Sequence, residues 1–174
     1  MKTIITSSGQ IGKFSEHQTL SDRYVCDGIE YPFSVLGETH EIGDYVEPAP
    51  TTEELNAIKA QKWEEIKAYR DNLVENGGFK VGAHWYHSNL LSRTQYISLV
   101  MMGANIPADT VWKTLDNGYI AMTQTLAGQI FAAGAAQDGA LFAKAAEHKT
   151  ALDASSDPAN YDYTTGWAET YQGD

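Results

Sequence analysis

The sequence predicts an α+β protein: a small, mostly β N-terminal module, a proline-rich linker, and a larger domain that begins with a long helix. Short β-branched runs separated by glycine turns predict the strands. Pro48 and Pro50 predict the linker, because each fixes φ and disfavours helix in the residue before it. Long stretches with apolar residues at helical spacing predict the helices. We place the module at residues 1–46, the linker at 47–52 and the second domain at 53–174.

The N-terminal module is predicted from brief runs of strand-forming residues bounded by turns. Its candidate strands are Lys2–Thr6, Ile11–Phe14, Tyr24–Cys26 and Phe33–Leu36. Asp27 and Gly28 form a turn signal between the last two of these runs. A module of this size buries little apolar surface, so we expect its stability to be marginal.

A capping box predicts the start of the first long helix. The Thr51 hydroxyl can accept from the backbone amide of Glu54, while the Glu54 carboxylate reaches back to Thr51. The helix should run from about Glu53 to Glu75, with glycines after it. Its apolar stripe consists of Leu55, Ile58, Ile66, Tyr69 and Leu73. We favour docking of this stripe on the chain's own second domain over a coiled coil between copies, because Lys62 interrupts the pattern.

Two β-hairpins are predicted after this helix. Glycine first in the two-residue loop Gly82-Ala83 is typical of a type II′ turn, which pairs Phe79–Val81 with His84–Tyr86. In the second hairpin an Asp-Asn-Gly turn joins Thr110–Leu115 to Tyr119–Met122. The second domain is therefore expected to continue as hairpin, helix, hairpin, helix.

Each hairpin leads into a helix. Ser88 or Asn89 caps the first of these, which runs to about Met102, and Thr123 or Thr125 opens the second. We expect the inner face of the first helix to consist of Leu90, Thr94, Ile97 and Met101, with Leu91 alongside. We expect the inner face of the second helix to consist of Leu126, Ile130, Ala133, Leu141, Ala145 and Leu152.

Charge and composition restrict the possible partners. The chain has 23 acidic and 12 basic residues, for a net charge of −11, and such a surface repels nucleic acid. Cys26 is the single cysteine, which excludes an internal disulfide and fits a reducing compartment. No apolar stretch is long enough for a signal peptide or a membrane span. We therefore expect a cytoplasmic protein that does not insert into membranes.

Candidate catalytic and metal-binding patterns are weak. His84 and His87 lie three apart on a predicted strand, so their rings point to opposite faces. His84, Ser92 and Asp116 have the residue types of a hydrolytic triad, but no nucleophile-elbow glycines surround any serine. Asp109 and Asp116 bracket a strand rather than a cleft. We predict no catalytic residue, metal or cofactor, and no enzyme activity.

Aromatic side chains on the hairpins and in the acidic C-terminal tail are the candidate binding residues. Flat aromatic faces on hairpins suit a sugar ring, whereas aromatics in the tail either cover the edge of the core or meet a partner protein. Packing in the core is the alternative for the hairpin aromatics. The candidates are Trp85, Tyr86, Trp112, Tyr119, Tyr163 and Trp167.

Several stretches are distinctive in their residues and in their order along the chain: KWEEIKAYRD, GGFKVGAHWYHSNLLSRTQ, GANIP with WKTLDNGYIAMT, and DPANYDYTTGW. Through them Trp63–Tyr171 resembles a domain family found at the C-terminal end of tailed-phage tail fibre assembly and tail fibre tip proteins. The resemblance implies a protein that binds a trimeric tail fibre and assists its folding in the host bacterial cytoplasm. It leaves open whether the protein stays at the tip as a virion component, and whether it self-associates. Recognition of a host-surface glycan by the tail tip is the alternative function.

Overall fold

Strands occupy the first part of the chain and long helices the second, which confirms the predicted α+β class. The computed structural model describes residues 1–173. The chain divides into two units, Met1–Pro50 and Thr51–Asp174, and the division falls inside the predicted linker.

The first unit contains two antiparallel three-stranded sheets and one helical turn, α1 (Phe33–Leu36). Its strands are β1 (Lys2–Thr6), β2 (Gly9–Phe14), β3 (His17–Thr19), β4 (Arg23–Cys26), β5 (Ile29–Pro32) and β6 (His40–Asp44). One sheet has the order β2-β1-β6 and the other the order β3-β4-β5. Cys26 is fully buried in the core of this unit, where burial raises the pKa of its thiol. The thiol is therefore protonated and unreactive.

The segment Phe33–Leu36 forms α1, so the prediction of a strand there was wrong. Phe33 and Leu36 both pack in the core of the unit, and the Phe33 ring lies 4.8 Å from the Tyr24 ring. Residues three apart share one side of a helix but point to opposite faces of a strand. A helical turn is thus the conformation that buries both side chains.

The second unit consists of three helices and two hairpins. In chain order its elements are α2 (Thr52–Asn76), β7 (Phe79–Val81), β8 (His84–Tyr86), α3 (Leu90–Met102), β9 (Val111–Lys113), β10 (Tyr119–Ala121) and α4 (Gln124–Ala154). Short 3-10 helices follow α3 at Gly103–Asn105 and α4 at Pro158–Asn160. The chain then returns to the end of α2, where the Tyr171 amide donates to the Gly77 carbonyl over 2.8 Å. Because α4 packs against both α2 and α3, it is the central element of the unit.

Side-chain caps begin all three long helices. The predicted capping box opens α2: the Glu54 amide donates to the Thr51 hydroxyl over 3.2 Å, and the Thr51 amide donates to the Glu54 carboxylate over 2.7 Å. Asn89 caps α3 and Thr123 caps α4, each by accepting from the amide three residues further on. These contacts satisfy amides that have no partner within the helix.

Both predicted hairpins are present. β7 pairs with β8 so that Phe79 lies opposite Tyr86, and Gly82, first in the turn, has a φ of +60°. A type II′ turn requires a positive φ at that position, and glycine supplies it without strain. β9 pairs with β10 across a turn in which Asn117 also has a φ of +60°.

The main core of the second unit lies between the first hairpin, α3 and the first half of α4. It consists of Phe79, Tyr86, Tyr96, Leu99, Met122, Ala127 and Ile130. A separate cluster of Ile66, Ala145 and Leu152 joins α2 to the second half of α4. The apolar stripe of α2 is therefore used within its own unit, through Ile66, as the docking interpretation predicted.

The inner face of α3 differs from the predicted one. Ser92, Tyr96 and Leu99 are its buried residues. The residues expected inside are exposed instead: Leu90, Leu91, Thr94, Ile97 and Met101. Helix α3 has two apolar sides, and the buried side is the one with Tyr96, whose hydroxyl donates to the His87 carbonyl over 3.1 Å.

Loss of the capping box should destabilise the second unit. Thr51→Ala removes the acceptor for the Glu54 amide, and we expect the free energy of unfolding to fall by about 1 kcal/mol. Urea denaturation followed by far-UV circular dichroism measures this. Thr52→Ala is the control, since Thr52 is exposed and makes no capping contact. An equal loss in both variants would show that the cap contributes nothing specific.

Candidate interaction surface

The aromatic residues predicted for binding on the hairpins have different environments. Tyr86 is fully buried in the main core, and half-buried Trp112 packs on Tyr96 with ring centroids 5.1 Å apart. Trp85 is half-buried against the C-terminal segment. Tyr119 is 71 % exposed on β10. Tyr86 is thereby removed as a contact residue, because a side chain without exposed area cannot meet a ligand.

The C-terminal segment, residues 155–173, packs on α2 and α4. Tyr163 and Trp167 both lie against Tyr69 of α2, at centroid distances of 5.8 and 5.5 Å. The Trp167 indole donates to the Tyr163 carbonyl over 2.7 Å. These two predicted residues are therefore brought together, and both cover the edge of the second core cluster.

Among the residues considered for catalysis, the fold brings His84 and Asp116 together. His84 Nδ1 lies 3.3 Å from an Asp116 carboxylate oxygen and links the first hairpin to the turn of the second. The Thr114 hydroxyl and His84 lower the pKa of Asp116, so the carboxylate is charged at neutral pH. Ser92 is buried on α3 beside Tyr96 instead. The pair is thus a link between hairpins, without the serine that a triad requires.

The described part of the chain has neither a cluster of metal ligands nor a helix that could span a membrane. Among residues 1–173, no three His, Cys, Asp or Glu side chains lie close enough together to hold a metal ion. None of the helices in this range is both long and apolar enough to cross a bilayer.

An apolar surface runs along the outer side of α3. Leu90 is 72 % exposed, Met101 is 82 % exposed, and Ile97 between them is 46 % exposed. Phe131 of α4, which lies beside Ile97, is 48 % exposed. We call these residues, together with Thr94, the α3 surface. Contiguous exposed apolar patches of a few hundred Å² typically mark interaction sites.

Polar groups in the α3 surface have partners within the protein. The Thr94 hydroxyl donates to the Leu90 carbonyl over 2.9 Å, and the adjacent Ser98 hydroxyl donates to the Thr94 carbonyl over 3.0 Å. Arg93 is the only charged residue of α3, and no charged residue occurs within Asn117–Gln137. A partner can therefore cover this surface without stripping water from an unsatisfied polar group.

Arg93 ties α3 to both neighbouring helices. Its guanidinium donates to both carboxylate oxygens of Asp138 on α4, one of them over 2.7 Å, and to the Val74 carbonyl of α2 over 3.4 Å. Its Nε donates to the Ser88 carbonyl. Such a bidentate pair fixes orientation as well as distance. The sequence interpretation missed Arg93, although a lone charge in an apolar helix is a signal that a partner is needed.

A hollow of about 200 Å³ lies between α3 and α4, beside the α3 surface. Its lining combines the exposed side chains of Ile97 and Phe131 with the buried Ile130. The ion pair of Arg93 and Asp138 also lines it. The hollow is apolar apart from that pair, and it is large enough to accommodate an apolar side chain of a partner.

His148 ties α4 to the C-terminal segment. It is only 6 % exposed, its Nε2–H donates to the Thr165 carbonyl over 3.1 Å, and its Nδ1 accepts from the Tyr161 hydroxyl over 2.9 Å. The Trp167 ring lies 5.1 Å from the imidazole. Burial lowers the pKa of His148, so the ring is neutral at pH 7. Sequence reasoning did not single out this histidine, because its partners are distant in sequence and no local pattern marks it.

Lowering the pH should weaken the packing of the C-terminal segment on α4. As the pH falls below the ordinary histidine pKa of 6.5, the unfolded chain takes up a proton before His148 in the folded chain does. The stability contributed by the neutral ring is therefore complete above pH 6.5 and is lost as the pH falls towards the lowered pKa. As the pH is lowered from about 7.5 to about 5.5, we expect the melting temperature, followed by tryptophan fluorescence, to hold down to about pH 6.5 and then to fall.

Two histidine variants make this test specific. His148→Gln cannot titrate, so its melting temperature should change much less over the same pH range. His17→Gln alters an exposed histidine of β3 and should keep the full dependence. A dependence that persists in His148→Gln would assign it to another group.

Comparison with known proteins gives one family. The family described as Domain of unknown function (DUF4376) matches residues 57–165. No curated protein and no solved structure matches the chain significantly. The matched region begins within α2, contains both hairpins, α3 and α4, and ends in the C-terminal segment. This region is more than half of the chain. The chain therefore belongs to the DUF4376 family.

Proposed function

We propose that this protein is a bacteriophage tail fibre-associated protein that binds the fibre protein and assists its folding and assembly in the host cytoplasm. The resemblance carried by Trp63–Tyr171 supports the phage context. The observation that carries the proposed activity is the α3 surface, which is apolar, exposed and free of unsatisfied polar groups. No catalytic step is assigned to the protein.

Fibre folding creates a need for such a surface. A trimeric β-fibre has long-range strand contacts, so its chains fold slowly and leave apolar faces and strand edges uncovered meanwhile. A helper that covers an apolar face prevents association in the wrong order. The net charge of −11 keeps the helper itself soluble while it presents the α3 surface.

Co-expression with the tail fibre protein of the same phage or prophage tests the proposal. The wild-type chain should increase the yield of soluble fibre trimer several-fold, as measured by size-exclusion chromatography with light scattering. Met101→Glu places a charge in the α3 surface and should lose most of this gain. Gln95→Glu adds the same charge to an exposed position about 120° around the helix and should retain it.

Either of two results would contradict the proposal. One is an equal yield of trimer with and without the chain, and the other is an equal gain with wild type and Met101→Glu. Mass spectrometry of purified virions then separates the two forms of the proposal. A whole-number ratio to the fibre identifies a component of the fibre tip, whereas absence from virions with abundance in the lysate identifies a transient chaperone.

A further inference from the structure

Helix α3 has two apolar sides, and its own chain covers only one of them. Ser92, Tyr96 and Leu99 face the core, while Leu90 and Met101 on the opposite side are among its most exposed residues. A surface helix normally turns charged and polar residues, not a second apolar side, to solvent. The α3 surface therefore calls for a second covering in the protein as it exists in solution.

The charge distribution permits a second copy of the same chain to approach at the α3 surface, and nowhere else as easily. Two copies that each carry −11 repel one another across most of their surfaces. At the α3 surface this repulsion is weakest, because Arg93 is already paired with Asp138 and Asn117–Gln137 is uncharged. The same neutral patch on both molecules is complementary to itself, as a two-fold symmetric contact requires.

The shape of the α3 surface also suits pairing with a second copy. The α3 surface has a projection, Met101 at 82 % exposure, and it borders the hollow of about 200 Å³ lined by Ile97 and Phe131. In a two-fold contact each projection can enter the hollow of the other copy. Methionine suits this role, because its unbranched side chain adapts to irregular apolar spaces.

The available area is sufficient for a reversible dimer. The exposed fractions across the α3 surface correspond to roughly 500 Å² per copy, and flanking Leu91 and Val100 bring the patch towards the ~800 Å² that each partner buries in a standard interface. An interface at the small end of this range is typical of transient complexes, which can be exchanged for another partner.

We propose that two copies of this chain pair through their α3 surfaces, in a two-fold symmetric contact that covers the surface when no other partner is bound. Pairing goes beyond the proposed function and does not depend on it.

Sedimentation equilibrium of the purified full chain, without any fibre, tests the pairing. Over about 1 to 100 µM the average mass should rise from near that of the 19.1 kDa monomer towards twice that value. Met101→Glu should weaken pairing by roughly 100-fold or more, because each introduced carboxylate would be buried in the apolar hollow of the other copy. Leu90→Glu is a second variant of the same kind, and Gln95→Glu is the matched control that should pair like the wild type.

Several outcomes would overturn the pairing. They are a wild-type monomer throughout the concentration range, trimers or open-ended association, undiminished pairing of both surface variants, and equal disruption by Gln95→Glu. Circular dichroism confirms that each variant is folded, which the high exposure of Leu90 and Met101 leads us to expect. Because no fibre is present, a monomeric result refutes the pairing and leaves the co-expression test of the proposed function unaffected.

Discussion

The ion pair between Arg93 and Asp138 sets the rotation of α3, and much of the second unit depends on that rotation. With the guanidinium held between α4 and the end of α2, Tyr96 points into the core and donates to the His87 carbonyl. Burial raises the pKa of Tyr96 to about 12, so it remains a donor at physiological pH. The side of α3 that carries Met101 is consequently turned to solvent. This partly buried polar contact is thus linked to which apolar side of the helix faces solvent.

Features decided by neighbours along the chain could be predicted from the sequence. The capping box at Thr51 and the turn at Gly82 depend on residues only a few positions away, and both were placed correctly. The inner face of α3 could not be predicted in this way, because the choice between two apolar sides depends on Asp138, which is 45 residues from Arg93. Burial of Tyr86 is likewise a tertiary property. Its residue type is as suitable for a binding surface as for a core.

Charged residues and the exposed apolar residues of the α3 surface lie on different parts of the protein. This separation supports both the proposed fibre binding and the proposed pairing. Acidic residues over most of the surface limit association to the place where they are absent. Helix α3 and the first half of α4 provide that place, since their single charge is neutralised within the unit. A fibre and a second copy would then compete for the same residues. A fibre would displace the second copy only where its binding, at the concentration present, is tighter than the pairing.

The return of the C-terminal segment to α2 has a consequence for synthesis on the ribosome. The first element of the second unit packs with its last residues, as the contact between Tyr171 and Gly77 shows. The contacts of α2 with α4 and with the C-terminal segment can therefore form only after those later residues have left the exit tunnel, whereas the first unit can close its sheets as soon as β6 emerges. The two units can thus fold one after the other, and the packing of α2 is completed last.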